Sequence, residues 1–202
     1  MTLSLLISAV LQLILFSIIP YTYWFFTSRT TTSFAMWIGW KKPQLISRKQ
    51  FILCFILTMT IFTSLGMLTA IYMLDRNTLA SSQFYGTGHK GLIPALIYSW
   101  LQTSLSEEIL FRGFIGKRLS SKFGFGIGNC AQALLFGVVH AVLLYSSAGF
   151  LNSAVVMLLT GLVGWSIGIL DEKLSGGSII PGWVLHGLTN LISSIFMMYQ
   201  WM

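Results

Sequence analysis

The sequence predicts an all-α fold, a polytopic bundle of about six transmembrane helices forming a single membrane domain over residues 1–202. Three observations predict it. Hydrophobic residues make up 55% of the chain and charged residues 8%, and the mean hydropathy of +0.79 is far above that of a soluble domain. Apolar runs recur along the whole length, and no polar block between them is long enough to fold as a soluble unit. Of the twelve basic residues, all but Arg112 fall in short loops between these runs, so the net charge of +7 reads as the positive-inside bias and implies no nucleic-acid partner.

Crossing roughly 30 Å of hydrocarbon takes about 20 helical residues. Stretches near 3–26, 51–74, 92–115, 125–145, 151–170 and 179–201 meet or approach that length. The first has no basic segment before it and is followed by Pro20-Tyr21-Thr22-Tyr23-Trp24 rather than a small-residue cleavage site, so it reads as a retained helix. The second is continuously apolar. The third is apolar to Leu105 and then carries Ser106, Glu107, Glu108 and Arg112, so a hydropathy window alone undercounts it. Glycines at 124, 126 and 128 and at 161, 164 and 168 of the next two suit close helix approach. Between the fifth and sixth, Asp171 and Glu172 with Lys173 read as a solvated turn.

Basic residues at 29, 41, 42, 48 and 49, and again at 117, 118 and 122, place the first and third loops on the cytoplasmic side and both termini outside. Tyr21, Tyr23, Trp24, Trp37, Trp40, Tyr199 and Trp201 sit at span ends as interfacial anchors. Cys54 and Cys130 lie in apolar runs, form no CxxC pair and are silent on redox compartment.

The chemistry concentrates in few residues. Of five acidic residues, Glu107 and Glu108 are adjacent inside an apolar helix, where an ionised side chain costs about 2.5–3.5 kcal/mol and persists by pairing or by lining a wet cavity. Glu108 and Arg112 are four apart and share a helix face, with the acid N-terminal to the base. Glu107 is rotated by about 100°, away from the guanidinium, and is the natural general base. Two of the three histidines, His140 and His186, also lie in apolar helices, and Asn190 shares the face of His186. A base with imidazole and amide groups is sufficient to activate water and stabilise an oxyanion. A serine nucleophile elbow, a Gly-x-Gly-Asp motif and His-Glu-x-x-His are all missing from the sequence.

Glu107-Glu108-x-x-x-Arg112, Phe136-x-x-x-His140 and His186-x-x-x-Asn190, in that order on successive helices, resemble the CPBP family of intramembrane proteases, which comprises type II CAAX-prenyl endopeptidases and bacterial Abi proteins. The resemblance covers the C-terminal half, with the catalytic motifs within 105–192. It implies that Glu107 activates water, that Glu108 with Arg112 shapes the site, and that His140, His186 and Asn190 hold the water and the oxyanion. It further implies a bundle with a cavity open to membrane and cytosol in a bacterial cell membrane. The partners are then the bilayer and a peptide or protein substrate, in bacteriocin self-immunity or peptide maturation. Family members are often described as metalloproteases, and Glu, His, His and Asn are able to ligate a divalent ion such as zinc. The spacing lacks the compactness of a zinc motif, so metal-free water activation without a cofactor is the favoured expectation. Two other readings also use buried carboxylates and histidines: a proton-coupled transporter, and a non-catalytic immunity or scaffold protein.

Overall fold

A computed structural model describes residues 2–201, and those residues form a helical bundle with no strands. In hydrocarbon every backbone N–H and C=O must find a partner within the protein, and a helix supplies it within a single apolar segment. Helix α1, Thr2–Thr27, carries Pro20 near its end. A short α2, Phe34–Ile38, is capped by Ser33 and closed at Gly39, whose φ of 88° suits glycine. Helix α3, Arg48–Tyr72, starts at Ser47, whose side chain accepts from the Gln50 N–H. Three short turns of 3₁₀ helix follow, Arg76–Thr78, Ala80–Phe84 and Gly88–Gly91.

Helix α4 runs without a break over 92–123, and Glu107 and Glu108 lie at its middle. Two π-helical segments, Ile97–Leu105 and Glu108–Gly116, flank Ser106 and Glu107. The wider i→i+5 register is rare beyond a single turn and recurs at functional sites. Side chains follow it: Thr103 Oγ1 donates to Tyr98 O at 3.0 Å and Ser104 Oγ to Ser99 O at 2.5 Å, each five residues back.

Helix α5, Phe125–Ile169, continues through a π-helical turn, Leu170–Leu174, and α6 spans Ile180–Met198. Within α5, Gly149 adopts φ 74° and ψ 175° and folds the two arms back on each other. Their polar groups then bridge the arms, with Asn129 Nδ2 donating to Trp165 O at 3.0 Å and Gln132 Nε2 to Gly164 O at 2.9 Å. The arms are close enough that a Cβ at Gly137 would lie 2.4 Å from Met157 O. The expected fourth and fifth stretches are therefore the arms of one hairpin, with a single glycine as the turn. Gly124 and Gly126 differ from expectation: Gly124, at φ 83°, is the corner between α4 and α5, and a Cβ at Gly126 would meet nothing within 4 Å.

Among the described residues three helical stretches are long and apolar enough to cross a membrane: Thr2–Thr27, Arg48–Tyr72 and Phe125–Leu174. Helices α4 and α6 are helical where expected but carry the polar side chains. The loop around Gly39 and Gln44, the Lys117 end of α4 and the turn at 175–179 meet at one end of the bundle, where Ile179 N donates to Gly39 O at 3.0 Å and Gln44 N to Ser175 O at 3.1 Å. At the opposite end Leu5 packs with Phe84, Tyr98, Met197 and Met198. The loops read as cytoplasmic thus share an end, and Leu5 of α1 and Met198 of α6 lie at the other. Leu11, Leu15 and Ile18 of α1 and Ile52, Ile56 and Leu65 of α3 remain exposed, an apolar outer face suited to acyl chains.

Candidate active site

The one turn that sequence misplaces holds α6 in position. Asp171 was expected in solvent, yet it is 1% exposed. The π-helical turn at the end of α5 draws it under the first turn of α6, where its Oδ1 accepts from Gly182 N at 2.8 Å. Ser178 Oγ accepts from Ile180 N at 3.3 Å, and Pro181 has no N–H to satisfy, so the leading donors of α6 are accounted for. Glu172 is paired as well, accepting from Lys117 Nζ, which also donates to Gly177 O at 2.8 Å. Replacing Asp171 by Ala leaves the Gly182 N–H buried without an acceptor. We expect a loss of about 1–2 kcal/mol, read as a lower midpoint of thermal unfolding in detergent, while Asn at this position retains most of the stability.

Seated this way, α6 lies against the π-helical part of α4. Trp183 Nε1 donates to Trp100 O at 2.8 Å, and the Trp100 ring fills the space beside Gly187, where a Cβ would come within 2.8 Å of it. His186 then reaches the two carboxylates. Its Nδ1 is 3.0 Å from Glu108 Oε1, and its Nε2 is 3.7 Å from Glu107 Oε2. One turn on, Asn190 Nδ2 donates to Thr103 Oγ1 at 2.8 Å.

The adjacent glutamates have different surroundings. Glu108 is fully buried, 3.2 Å from Arg112 Nη1 on the next turn. Glu107 keeps 15% of its side chain exposed, and its Oε2 has no hydrogen-bond donor. Arg112 is held on its other side by the Phe136 ring, 4.3 Å from the guanidinium carbon. The same ring lies 4.4 Å from that of His140 and, edge to face, 6.0 Å from that of His186. Phe136 is therefore the apolar partner common to Arg112, His140 and His186, which gives its place in the Phe136-x-x-x-His140 pattern a packing reason.

His140 Nδ1 is 2.8 Å from Phe136 O. A carbonyl only accepts, so Nδ1 is the donor and carries the hydrogen, which leaves Nε2 of the neutral ring as an acceptor. His140 also lines two cavities. One, of about 520 Å³, is bounded by α1, α4 and α5 and includes Glu107, Phe111 and Leu143. The other, of about 300 Å³, lies among α3, α5 and α6 and includes His186, Thr189 and Asn190.

Of the six residues singled out from sequence, Arg112, His140 and His186 pack on Phe136, Glu107, His140, His186 and Asn190 line the cavities beside it, and Glu108 joins Arg112 to His186. Sequence reasoning missed Thr103 and Asp171. Thr103 carries a weak signal, four residues before Glu107 on the same helix. Asp171 carries none, since its turn is as polar as a solvated one.

Both ring nitrogens of His186 face carboxylates, whereas His140 is held to the backbone through Nδ1 alone and Asn190 to Thr103 through its amide nitrogen. Among the described residues no group of three or more His, Cys, Asp or Glu side chains is arranged to hold an ion.

A helical membrane bundle that gathers a Glu-Glu-Arg helix and two histidines beside buried cavities carries groups able to take up and release a proton within the membrane. The family model of the Rce1-like type II CAAX prenyl endopeptidases matches residues 89–192, and the chain belongs to that family. Membership implies protease activity and a membrane location. The match takes in every residue of the cluster and leaves α1 to α3 outside it. No curated protein and no solved structure matches the chain.

Proposed function

We propose that the chain is an intramembrane endopeptidase that hydrolyses a peptide bond with water activated by Glu107. One observation carries this reading: of the two carboxylates beside His186, only Glu107 faces the 520 Å³ cavity, and it shares that cavity with His140. Glu107 takes a proton from water as the hydroxyl oxygen adds to the scissile carbonyl carbon. The carbonyl oxygen becomes an oxyanion, and Glu107 returns the proton to the amide nitrogen as the C–N bond breaks, leaving a carboxylic acid that passes its proton to the new amine. His140, through Nε2, accepts a hydrogen bond from the attacking water and orients it. Asn190, on the 300 Å³ cavity that also takes in His140, donates one amide hydrogen to Thr103 and keeps a second for the oxyanion of a substrate that reaches across His140 into both cavities. Glu108 and Arg112, buried as a pair, fix the ring of His186 beside Glu107.

The cavity rim includes Leu11, Leu15, Val139 and Leu143, all exposed on the outer face of the bundle. This supports a substrate delivered from the bilayer, a peptide carrying a lipid-embedded tail of the kind the family's name describes. Peptide or bacteriocin maturation, or self-immunity, is the setting this reading fits. The test is cleavage of a farnesylated CAAX peptide by purified protein in detergent. Both Glu107→Ala and His140→Ala are expected to abolish new peptide termini, and unchanged cleavage in both sinks the mechanism. A glutamate mechanism also predicts that cleavage continues after treatment with EDTA or phenanthroline, whereas a Lewis-acid mechanism fails under either chelator.

A further inference from the structure

Helix α1 is apolar along its outer face, but Ser8 and Gln12, four apart and so on one side of the helix, both line the cavity that holds Glu107 and His140. A glutamine inside a hydrophobic span needs polar partners. Those of Gln12 are on α4: its Nε2 donates to Ser106 Oγ at 3.4 Å, and its Oε1 accepts from Gln102 Nε2 at 3.4 Å. Both distances exceed the usual 2.7–3.2 Å of an N–H···O bond, so the contacts are weak and exchangeable. Gln102 also lines the cavity, and its Oε1 is buried with no donor. Five residues from Glu107, Gln102 would sit about 140° round an ordinary α-helix from it. The i→i+5 register of Ile97–Leu105 turns it back toward Glu107.

A cavity wall that presents an orphaned amide oxygen beside a loosely held amide N–H has the donor and acceptor pattern of one peptide unit. An extended peptide offers the complementary pattern along its edge, whatever its side chains. We propose that Gln12 and Gln102 form a subsite for the substrate backbone: Gln102 Oε1 accepts a substrate N–H next to the scissile bond, and Gln12 Nε2 leaves Ser106 to donate to a substrate carbonyl. The inference rests on the peptidase reading and adds specificity-determining residues to it, one of them on a helix outside the family match. Both residues position the substrate and take no part in proton transfer.

The experiment uses a fluorescent farnesylated CAAX peptide and a series in which each backbone amide in turn is N-methylated, with wild type, Gln102→Leu and Gln12→Leu in detergent. For wild type, one N-methyl position is expected to raise KM about tenfold with kcat little changed, the effect of losing one hydrogen bond. Gln102→Leu is expected to show the raised KM on the parent peptide and no further penalty at that N-methyl position. Gln12→Leu, which leaves the π-helical segment untouched, should also raise the KM of the parent peptide and keeps the inference testable if Gln102→Leu does not fold. An unchanged KM in both variants, or the same N-methyl penalties in wild type and variants, overturns the subsite alone. Absence of any cleavage by wild type overturns the peptidase reading and the subsite with it.

Discussion

Glu107→Gln is expected to lower kcat for peptide cleavage by at least about a thousandfold while KM stays within a few-fold of wild type. General acid–base catalysis by a positioned side chain contributes about 10²–10⁴-fold, and here the same carboxylate must both take the proton from water and return it to the leaving nitrogen. Glutamine keeps the size and one acceptor oxygen but does neither. Because Glu107 pairs with no arginine and is in part exposed, its replacement leaves no buried charge without a partner, and the variant should unfold near the wild-type temperature. Activity and stability thus separate at this position. Burst and steady-state kinetics on the purified variant, beside its melting curve in detergent, check both parts. A variant that cleaves normally removes the general base from the mechanism.

Arg112→Met is the substitution expected to harm stability most. It removes the cation 3.2 Å from fully buried Glu108 and empties the face of Phe136 on which the guanidinium rests. Removing one partner of a buried ion pair costs about 3–5 kcal/mol, because the remaining charge stays desolvated. Glu108→Gln should cost nearly as much, since it leaves the Arg112 guanidinium buried without its carboxylate, although glutamine still offers an oxygen to His186 Nδ1. In the double variant Glu108→Gln with Arg112→Met no charge is left alone, and most of the lost stability is expected to return. Activity is not expected to return with it, because a neutral amide oxygen holds the ring of His186 more weakly than the carboxylate that lies 3.0 Å from it. A double-mutant cycle of melting temperatures and cleavage rates measures the two effects separately; additive losses of stability would falsify the coupled pair.

Much of the bundle was legible because membrane helices are written in local terms: an apolar run of sufficient length, a cap such as Ser47 and basic residues at one set of loops. The pairing of Glu108 with Arg112 was legible for the same reason, since four-residue spacing puts two side chains on one face. Other features depend on contacts between distant segments. Asp171 looks like any turn carboxylate until α6 places Gly182 N against it. Gly149 is one glycine among many until the arms of α5 are seen to pack antiparallel. The π-helical register of α4 leaves no mark in hydropathy, yet it determines which way Gln102 points relative to Glu107. Gln12 was passed over because an isolated amide in an apolar helix says nothing about what faces it.

The distance along the chain between the glutamates and His186 also bears on biosynthesis. Glu108 meets Arg112 within its own helix as soon as α4 forms, but its hydrogen bond to His186 joins residues 78 positions apart. At about 5–20 residues per second, a ribosome needs roughly 4–16 seconds to make the intervening segment. For that interval α4 carries Glu107 without its imidazole neighbour, and an ionised side chain at a helix centre costs about 2.5–3.5 kcal/mol on insertion. The nascent α4 should therefore linger at the translocon, and crosslinking of arrested chains should find it there until α6 emerges.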